Sequence, residues 1–341
     1  MAGKIVYSDD TKPGITRKKV RNGWAYFLPG GDRITDRDEI DRLNAIGLPP
    51  AYRNAWFNPK PHGHIQAVGW DDKGRKQYRY HTGFREAQEA AKYEKCAEFG
   101  RVLPRIRKQV EEDIARRALD KDHAVAAVIR LLDIGHLRVG NEAYAEANQS
   151  YGATTLREEH GQVKGDTLRL RFKGKSGKER DCRIVDKALA RTVKKMHDLD
   201  DEHLFSWVDV DGVAHPVTST DVNEYIHRIA GDAFSAKHFR TWGASVTAFE
   251  ALATAEKDLN MKALLGPVTE RLGNTPAIAR KSYVHPSLID LVKKGQSAFR
   301  AALRLPRPAR YLSREERGLI TFLDSLAPSD APVLEVVAKA A

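Results

Sequence analysis

The sequence predicts an α+β protein: a small β-rich N-terminal domain over residues 1–82, then a larger, mainly α-helical domain over 83–341 with a small antiparallel sheet. Three observations carry this. At 341 residues the chain is long enough for two cores rather than one. As far as residue 82, short strand-like runs alternate with Gly/Pro-rich turns. From about Gly83, long stretches rich in Ala, Glu, Arg and Lys place apolar residues at helical spacing. One segment inside the helical part, Thr167 to Phe172, alternates as a strand and is joined by a tight polar turn to Glu179–Val185.

In the first domain, Gly23 to Leu28 reads as a strand ended by Pro29-Gly30-Gly31. Thr35 or Asp36 caps a helix through Asp41–Ile46, and Gly47 stops it. Leu48 to Phe57 is too proline-rich at its start for a helix. His64 to Trp70 is strand-like and leads through the turn Asp71-Asp72-Lys73-Gly74 into Arg75 to His81. Alternation there puts Gln77, Arg79 and His81 on one face and Tyr78 and Tyr80 on the other. Cations such as Lys76 suit phosphates, a glutamine can read a base edge, and tyrosine hydroxyls can bond a nucleic-acid backbone. An ordinary strand with core tyrosines and a solvated basic face is the equal alternative.

In the second domain, helices are expected over 84–99 and 102–119, then a buried one over 123–132 that runs into Gly135-His136-Leu137-Arg138-Val139-Gly140. Further helices are expected near 186–198, 220–231, from Lys237 onward and over 255–272. Two more fall in 287–326, with a Pro/Arg-rich joint at 305–310 and a loosely ordered tail after Leu326. Near the end comes Gly273-Asn274-Thr275-Pro276. Thr275 can cap a helix, Pro276 suits its first turn, and Asn274 lies beside the helix start. Tyr283 follows just before His285-Pro286. Alone, this stretch reads as a capped helix with a packed tyrosine.

Composition narrows the partners. Lys and Arg number 57 against 46 acidic residues, a net charge of +11, which favours polyanions, nucleic acid first among them. The two cysteines, Cys96 and Cys182, stand apart from each other and from any His pair at metal-ligand spacing, so neither a metal site nor a disulfide is expected. No apolar run suits a signal peptide or a bilayer span, and a cytoplasmic location is expected. Gly174-Lys175-Ser176 looks like the end of a phosphate-binding P-loop. However, Arg169 stands where that motif needs glycine, and the turn joins strands instead of opening a helix. No nucleotide cofactor is expected.

Arg138, Lys175, Lys237 with Arg240, Asn274 and Tyr283 each have an ordinary reading in isolation. Their order and contexts resemble the type IB DNA topoisomerases, in particular the compact bacterial and poxvirus-like branch. The likeness covers nearly the whole chain, from Leu48-Pro49-Pro50-Ala51-Tyr52 and Gly74-Arg75-Lys76-Gln77-Tyr78-Arg79-Tyr80 to Tyr283. The resemblance implies a catalytic set of Arg138, Lys175, Arg240, Asn274 and the nucleophile Tyr283. It implies DNA contacts from Lys237, Tyr144, Lys76, Gln77, Tyr78 and Tyr80. Poxvirus members have His where this chain has Asn274, which can donate a hydrogen bond but cannot act as an imidazolium acid. The fold implied is a clamp around duplex DNA, with a catalytic domain shared with tyrosine recombinases. The implied activity is relaxation of supercoiled DNA by a monomer through a 3′-phosphotyrosine link, without ATP, metal or other cofactor.

Two alternatives accompany this reading. Tyrosine recombinases usually place His three residues before the second arginine, where this chain has Lys237, and His238 is only two before Arg240. A non-enzymatic DNA-binding protein would need only the charge and the hairpin, but here all five catalytic-type positions hold competent residues.

Overall fold

A computed structural model describes residues 5–326 apart from Asn22 and Asp200. The expected tail after Leu326 lies outside the described residues. The chain divides into two compact units, the first running to Lys92 and the second Tyr93–Pro328.

The first unit is a five-stranded antiparallel sheet in the order β2-β1-β3-β4-β5, with one helix. Its strands are β1 (Ile15–Val20), β2 (Gly23–Phe27), β3 (Arg53–Phe57), β4 (Ile65–Trp70) and β5 (Lys76–Tyr80), and α1 (Arg37–Ala45) lies between β2 and β3. Ile15, Tyr26, Leu43, Leu48, Phe57 and Ala67 make its core. Asp36, rather than Thr35, caps α1 through its side chain. The turn between β4 and β5 is held by Asp71, which accepts from the backbone N–H groups of Lys73 and Arg75, both at 3.0 Å. The tyrosines of β5 are not core residues: Tyr78 and Tyr80 are 39% and 41% exposed and stack with ring centroids 5.8 Å apart.

The second unit has the remaining helices in chain order: α2 (Thr82–Ile114), α3 (Lys121–Gly135), α4 (Glu142–Asn148), α5 (Lys187–Met196), α6 (Ser219–Ala230), α7 (Lys237–Thr254), α8 (Met261–Leu272), α9 (Pro276–Ser282), α10 (Pro286–Lys293), α11 (Gln296–Ala302) and α12 (Arg314–Asp324). The first turns of α2 precede Tyr93 and belong to the first unit. A three-stranded antiparallel sheet, β6 (Gly161–Lys164), β7 (Thr167–Lys173) and β8 (Glu179–Val185), lies between α4 and α5. A two-stranded ribbon of β9 (Ser206–Val208) and β10 (Ala214–Pro216) precedes α6. Helix α3 is buried almost all round, as its apolar sequence requires of a central helix.

Several helix boundaries differ from the sequence expectation for packing reasons. The helices expected at 84–99 and 102–119 are the single helix α2. The gap between those two ranges falls on Gly100, which lets α2 approach α7, since a Cβ there would lie 2.4 Å from the Trp242 ring. The region 287–326 holds three helices instead of two, and α8 begins only at Met261, where Asn260 caps it.

A buried ionic cluster ties the helices together. Arg107 of α2 donates to Asp133 of α3 at 2.7 and 2.9 Å and to Glu316 of α12 at 2.8 Å twice. Trp242 Nε1 of α7 adds a bond to the same Glu316 at 3.0 Å. Buried charges persist only when paired and hydrogen-bonded in this way.

Candidate active site

Four of the five expected catalytic residues make direct contacts in two pairs, Arg240 with Tyr283 and Arg138 with Asn274, all within the second unit. Arg240 lies in the fourth position of α7 and is only 4% exposed. Its guanidinium donates to the carbonyl oxygens of His136 and, at 3.2 Å, Leu272. Both acceptors end helices: His136 is the left-handed cap of α3, with φ of 48°, and Leu272 closes α8. Helix ends supply carbonyls without intrahelical partners, so the fold presents acceptors where the guanidinium needs them. Arg240 Cζ then sits 4.8 Å from the centroid of the Tyr283 ring. Burial pulls its pKa down to about 10, opposed by the Tyr283 side chain, which also hydrogen-bonds to it.

Tyr283 is the C-cap of α9, half-buried, with its N–H bonded to Ala279 O at 3.1 Å. Its carbonyl accepts from Ser245 Oγ of α7 at 3.4 Å. At the other end of α9, Thr275 accepts from Ile278 N at 3.3 Å, and Pro276 takes the first helical position. Asn274 precedes this cap. Its Oδ1 accepts from Arg138 Nη2 at 2.9 Å. Its Nδ2 is buried and has no hydrogen-bond partner among the described residues, which is uncommon for a buried donor.

Arg138 follows the α3 cap by two residues. Its carbonyl accepts from Ala153 N at 2.8 Å, and the next carbonyl, of Val139, accepts from Thr154 N at 2.7 Å. The arginine between two glycines is therefore on a backbone held at its own carbonyl and the next, not in a loose loop.

Lys175 starts a short 3-10 turn, Lys175–Gly177, between β7 and β8, and is exposed. Gly174 N bonds Lys178 O at 2.8 Å across the turn. A narrow cleft of about 20 Å³ has Lys175, Arg138 and Arg240 in its wall, together with Lys178 and Arg180. The cleft thus has five cations in its wall. Lys178 and Arg180 escaped the sequence reading. The signal for Arg180 was present, since it breaks the apolar row that pairs Leu168 with Ile184 and Leu170 with Cys182 across β7 and β8. The role of the His136 carbonyl had no sequence signal.

The remaining expected contacts are dispersed. Lys237 opens α7 and is exposed. His238 is buried, stacked on Phe99 with centroids 5.7 Å apart, and its Nδ1 accepts from Ser235 N at 2.9 Å. It therefore anchors the start of α7 instead of facing the cleft. Tyr144 is an exposed residue of α4. In the first unit, Lys76 pairs with Asp10 at 2.6 Å, and Gln77 Nε2 donates to Asp71 at 3.1 Å. Among the described residues no group of three or more His, Cys, Asp or Glu side chains could hold a metal ion. No described helix is long and apolar enough to cross a membrane.

Comparison with known proteins agrees in two places. Residues 81–290 match the family model described as the catalytic core of eukaryotic DNA topoisomerase I. Residues 23–71 match that of the N-terminal domain of bacterial DNA topoisomerase IB. DNA topoisomerase 1B of Acanthamoeba polyphaga mimivirus is 29% identical over 301 residues, 84% of this chain and 89% of that protein. DNA topoisomerase 1B of Vaccinia virus is 23% identical over 238 residues, 66% of this chain and 72% of that protein. Among solved structures, the XerH site-specific recombinase bound to a palindromic difH substrate gives a TM-score of 0.39 at 16% identity, over 58% of this chain and 51% of that one.

Proposed function

Because the chain belongs to the type IB DNA topoisomerases, we propose that Tyr283 is its nucleophile and that Arg138, Lys175, Arg240 and Asn274 form the rest of its catalytic set. The protein is a DNA topoisomerase; the residue roles and the intermediate are the proposal. One observation carries it. Arg240 lies over the Tyr283 ring at 4.8 Å, while Arg138 holds Asn274 at 2.9 Å with the amide donor left unpartnered.

A free tyrosine has a pKa of about 10 and is a weak nucleophile at neutral pH. A guanidinium beside it lowers the cost of developing phenolate. As Tyr283 Oη attacks the phosphorus and releases its phenol proton to solvent, Arg138 and Arg240 brace the non-bridging oxygens, and Asn274 Nδ2 donates to one of them. Fixed donors of this kind stabilise charge that peaks in the transition state without reorganising. The P–O5′ bond breaks as Lys175 Nζ gives its proton to O5′. The phosphate then joins Tyr283 Oη to the 3′ oxygen of the cleaved strand, the free 5′ end rotates, and the 5′ hydroxyl reverses the step. The ester bond is conserved in the phosphotyrosine, so the cycle needs no ATP, and the cluster of cations stands in for a metal ion.

Lys237 contacts DNA near the cleavage site and Tyr144 a phosphate, and Lys76, Gln77, Tyr78 and Tyr80 contact DNA from the first unit. The exposed stacked tyrosines of β5 support that assignment. The enzyme acts as a monomer on nucleoid DNA in the cytoplasm. The test is relaxation of a negatively supercoiled plasmid by the purified chain in EDTA without ATP. Wild type should relax it fully and Tyr283→Phe should leave it supercoiled. Relaxation by Tyr283→Phe would end the proposal.

A further inference from the structure

Arg180 stands on the buried face of the β7–β8 hairpin, opposite Phe172, in a row otherwise filled by Leu168, Leu170, Ile184 and Cys182. An arginine in such a row must find acceptors. Its Nη2 donates to Arg271 O at 3.0 Å, and its Nη1 reaches toward Glu270 O at 3.5 Å. These carbonyls belong to the last turn of α8, where they lack intrahelical partners and where the helix dipole favours a cation.

Two glycines make the contact possible. Gly273 caps α8 in the left-handed conformation, with φ of 65°, and a Cβ there would lie 2.0 Å from Arg180 Nη1. Gly174 faces the stem of the same side chain, and its Cβ would lie 3.3 Å from Arg180 Cγ. The first glycine directly precedes Asn274 and the second directly precedes Lys175. One side chain therefore touches the backbone just ahead of both.

From this juxtaposition we propose that Arg180 is a positioning residue that locks the Lys175 turn to the α8–α9 corner carrying Asn274, so that the proton donor and the phosphate donor keep a fixed separation. The inference rests on the assignment of Lys175 as the general acid and adds what holds it in place. Lys175 is exposed on a turn of three residues, and without a brace its ammonium samples many positions of which few reach O5′. A misplacement of about 1 Å in such a group can cost on the order of 100-fold in rate.

The test uses the full chain and two suicide DNA substrates that differ only at the leaving atom, oxygen or sulfur, at the bridging 5′ position. A thiol has a pKa of about 8.5 and departs as the thiolate without a proton, so sulfur removes the need for a general acid. Arg180→Ala should cleave the oxygen substrate about 10- to 100-fold more slowly than wild type, with DNA affinity unchanged. It should regain the wild-type rate on the sulfur substrate, as Lys175→Ala does, whereas Arg240→Ala should stay slow on both. Arg180→Lys keeps the charge but cannot span the two carbonyls; it should behave like Arg180→Ala, and it carries the test if the alanine variant fails to fold. Equal slowing of the Arg180 variants on both substrates, or no slowing on either, overturns the proposal. If Lys175→Ala itself gains nothing from sulfur, the general-acid assignment fails instead, and the two failures are told apart.

Discussion

Asn274→Asp is the sharpest probe of the phosphate pocket, because it exchanges one NH2 for one oxygen with almost no change of shape. The oxygen that accepts from Arg138 at 2.9 Å is kept. The buried nitrogen without a partner among the described residues becomes a carboxylate oxygen facing the proposed phosphate. Loss of one preorganised donor costs about 2.7–4 kcal/mol on the oxyanion-hole scale. A carboxylate about 5 Å from a phosphate charge adds repulsion of about 3 kcal/mol at an effective dielectric of about 20. The sum, about 6 kcal/mol, slows cleavage by about 10⁴-fold, and repulsion already felt by bound DNA appears as weaker binding. Asn274→Ala suffers only the first loss, about 10²- to 10³-fold. The assay is single-turnover cleavage of a suicide duplex at saturating enzyme, with affinity measured in parallel and folding checked by circular dichroism. The expected order is wild type, then alanine, then aspartate. An aspartate variant as fast as the alanine variant would place Nδ2 away from the phosphate and reduce Asn274 to a support for Arg138.

Other expectations reach the first unit, the buried core and pH. Asp10→Asn should tighten binding to plasmid DNA about two- to fivefold at low salt, the scale of an exposed ion pair, because Asp10 now holds Lys76 at 2.6 Å; the gain should vanish in a Lys76→Ala background and shrink as salt rises. Glu316→Ala leaves Arg107 with only Asp133 and the Tyr311 carbonyl as partners and takes from Trp242 Nε1 its bond to Glu316, so urea unfolding should show a loss of about 3–5 kcal/mol, and an unchanged midpoint would contradict the role given to this cluster. His136 and His285 are both held near a pKa of about 4, against 6.5 normally, by burial first. Both stay neutral when folded while the unfolded chain takes up protons below about pH 6.5, so stability should fall as pH drops from about 6.5 to about 4 and the loss should level off below that. For His136, which is 8% exposed, the full effect is about 3 kcal/mol, and unfolding midpoints that do not change between pH 7 and pH 4.5 would refute it.

What the sequence made legible were features written in neighbouring residues. Thr275-Pro276 announces the start of α9, the apolar run after His123 announces a central helix, and Asp71 to Gly74 announces the hairpin of β4 and β5. In each case the cap, the periodicity or the turn chemistry lies within a few positions. The catalytic set was legible only by resemblance, since Arg138, Lys175, Arg240 and Tyr283 each have an ordinary local reading. Features that depend on distant partners were hidden. The gap between the expected helices 84–99 and 102–119 falls on Gly100, whose reason, the Trp242 ring, lies on another helix. The short strands β6, β9 and β10 are too brief to alternate visibly, and their pairing comes from the core beneath them. Arg180 interrupts an apolar row in the sequence, but its acceptors exist only where α8 brings its carbonyls alongside, and nothing in the sequence marks the His136 carbonyl as the acceptor for Arg240.

The central claim is that Tyr283 becomes covalently joined to DNA, and mapping the adduct tests it most directly. The chain would be trapped on a suicide duplex, digested with trypsin and nuclease, and the phosphonucleotide located by mass spectrometry. A single modified peptide containing Tyr283, esterified to a 3′ phosphate, is expected, with no adduct from Tyr283→Phe. An adduct on another residue, a link through a 5′ phosphate, or plasmid relaxation with no adduct at all would contradict it.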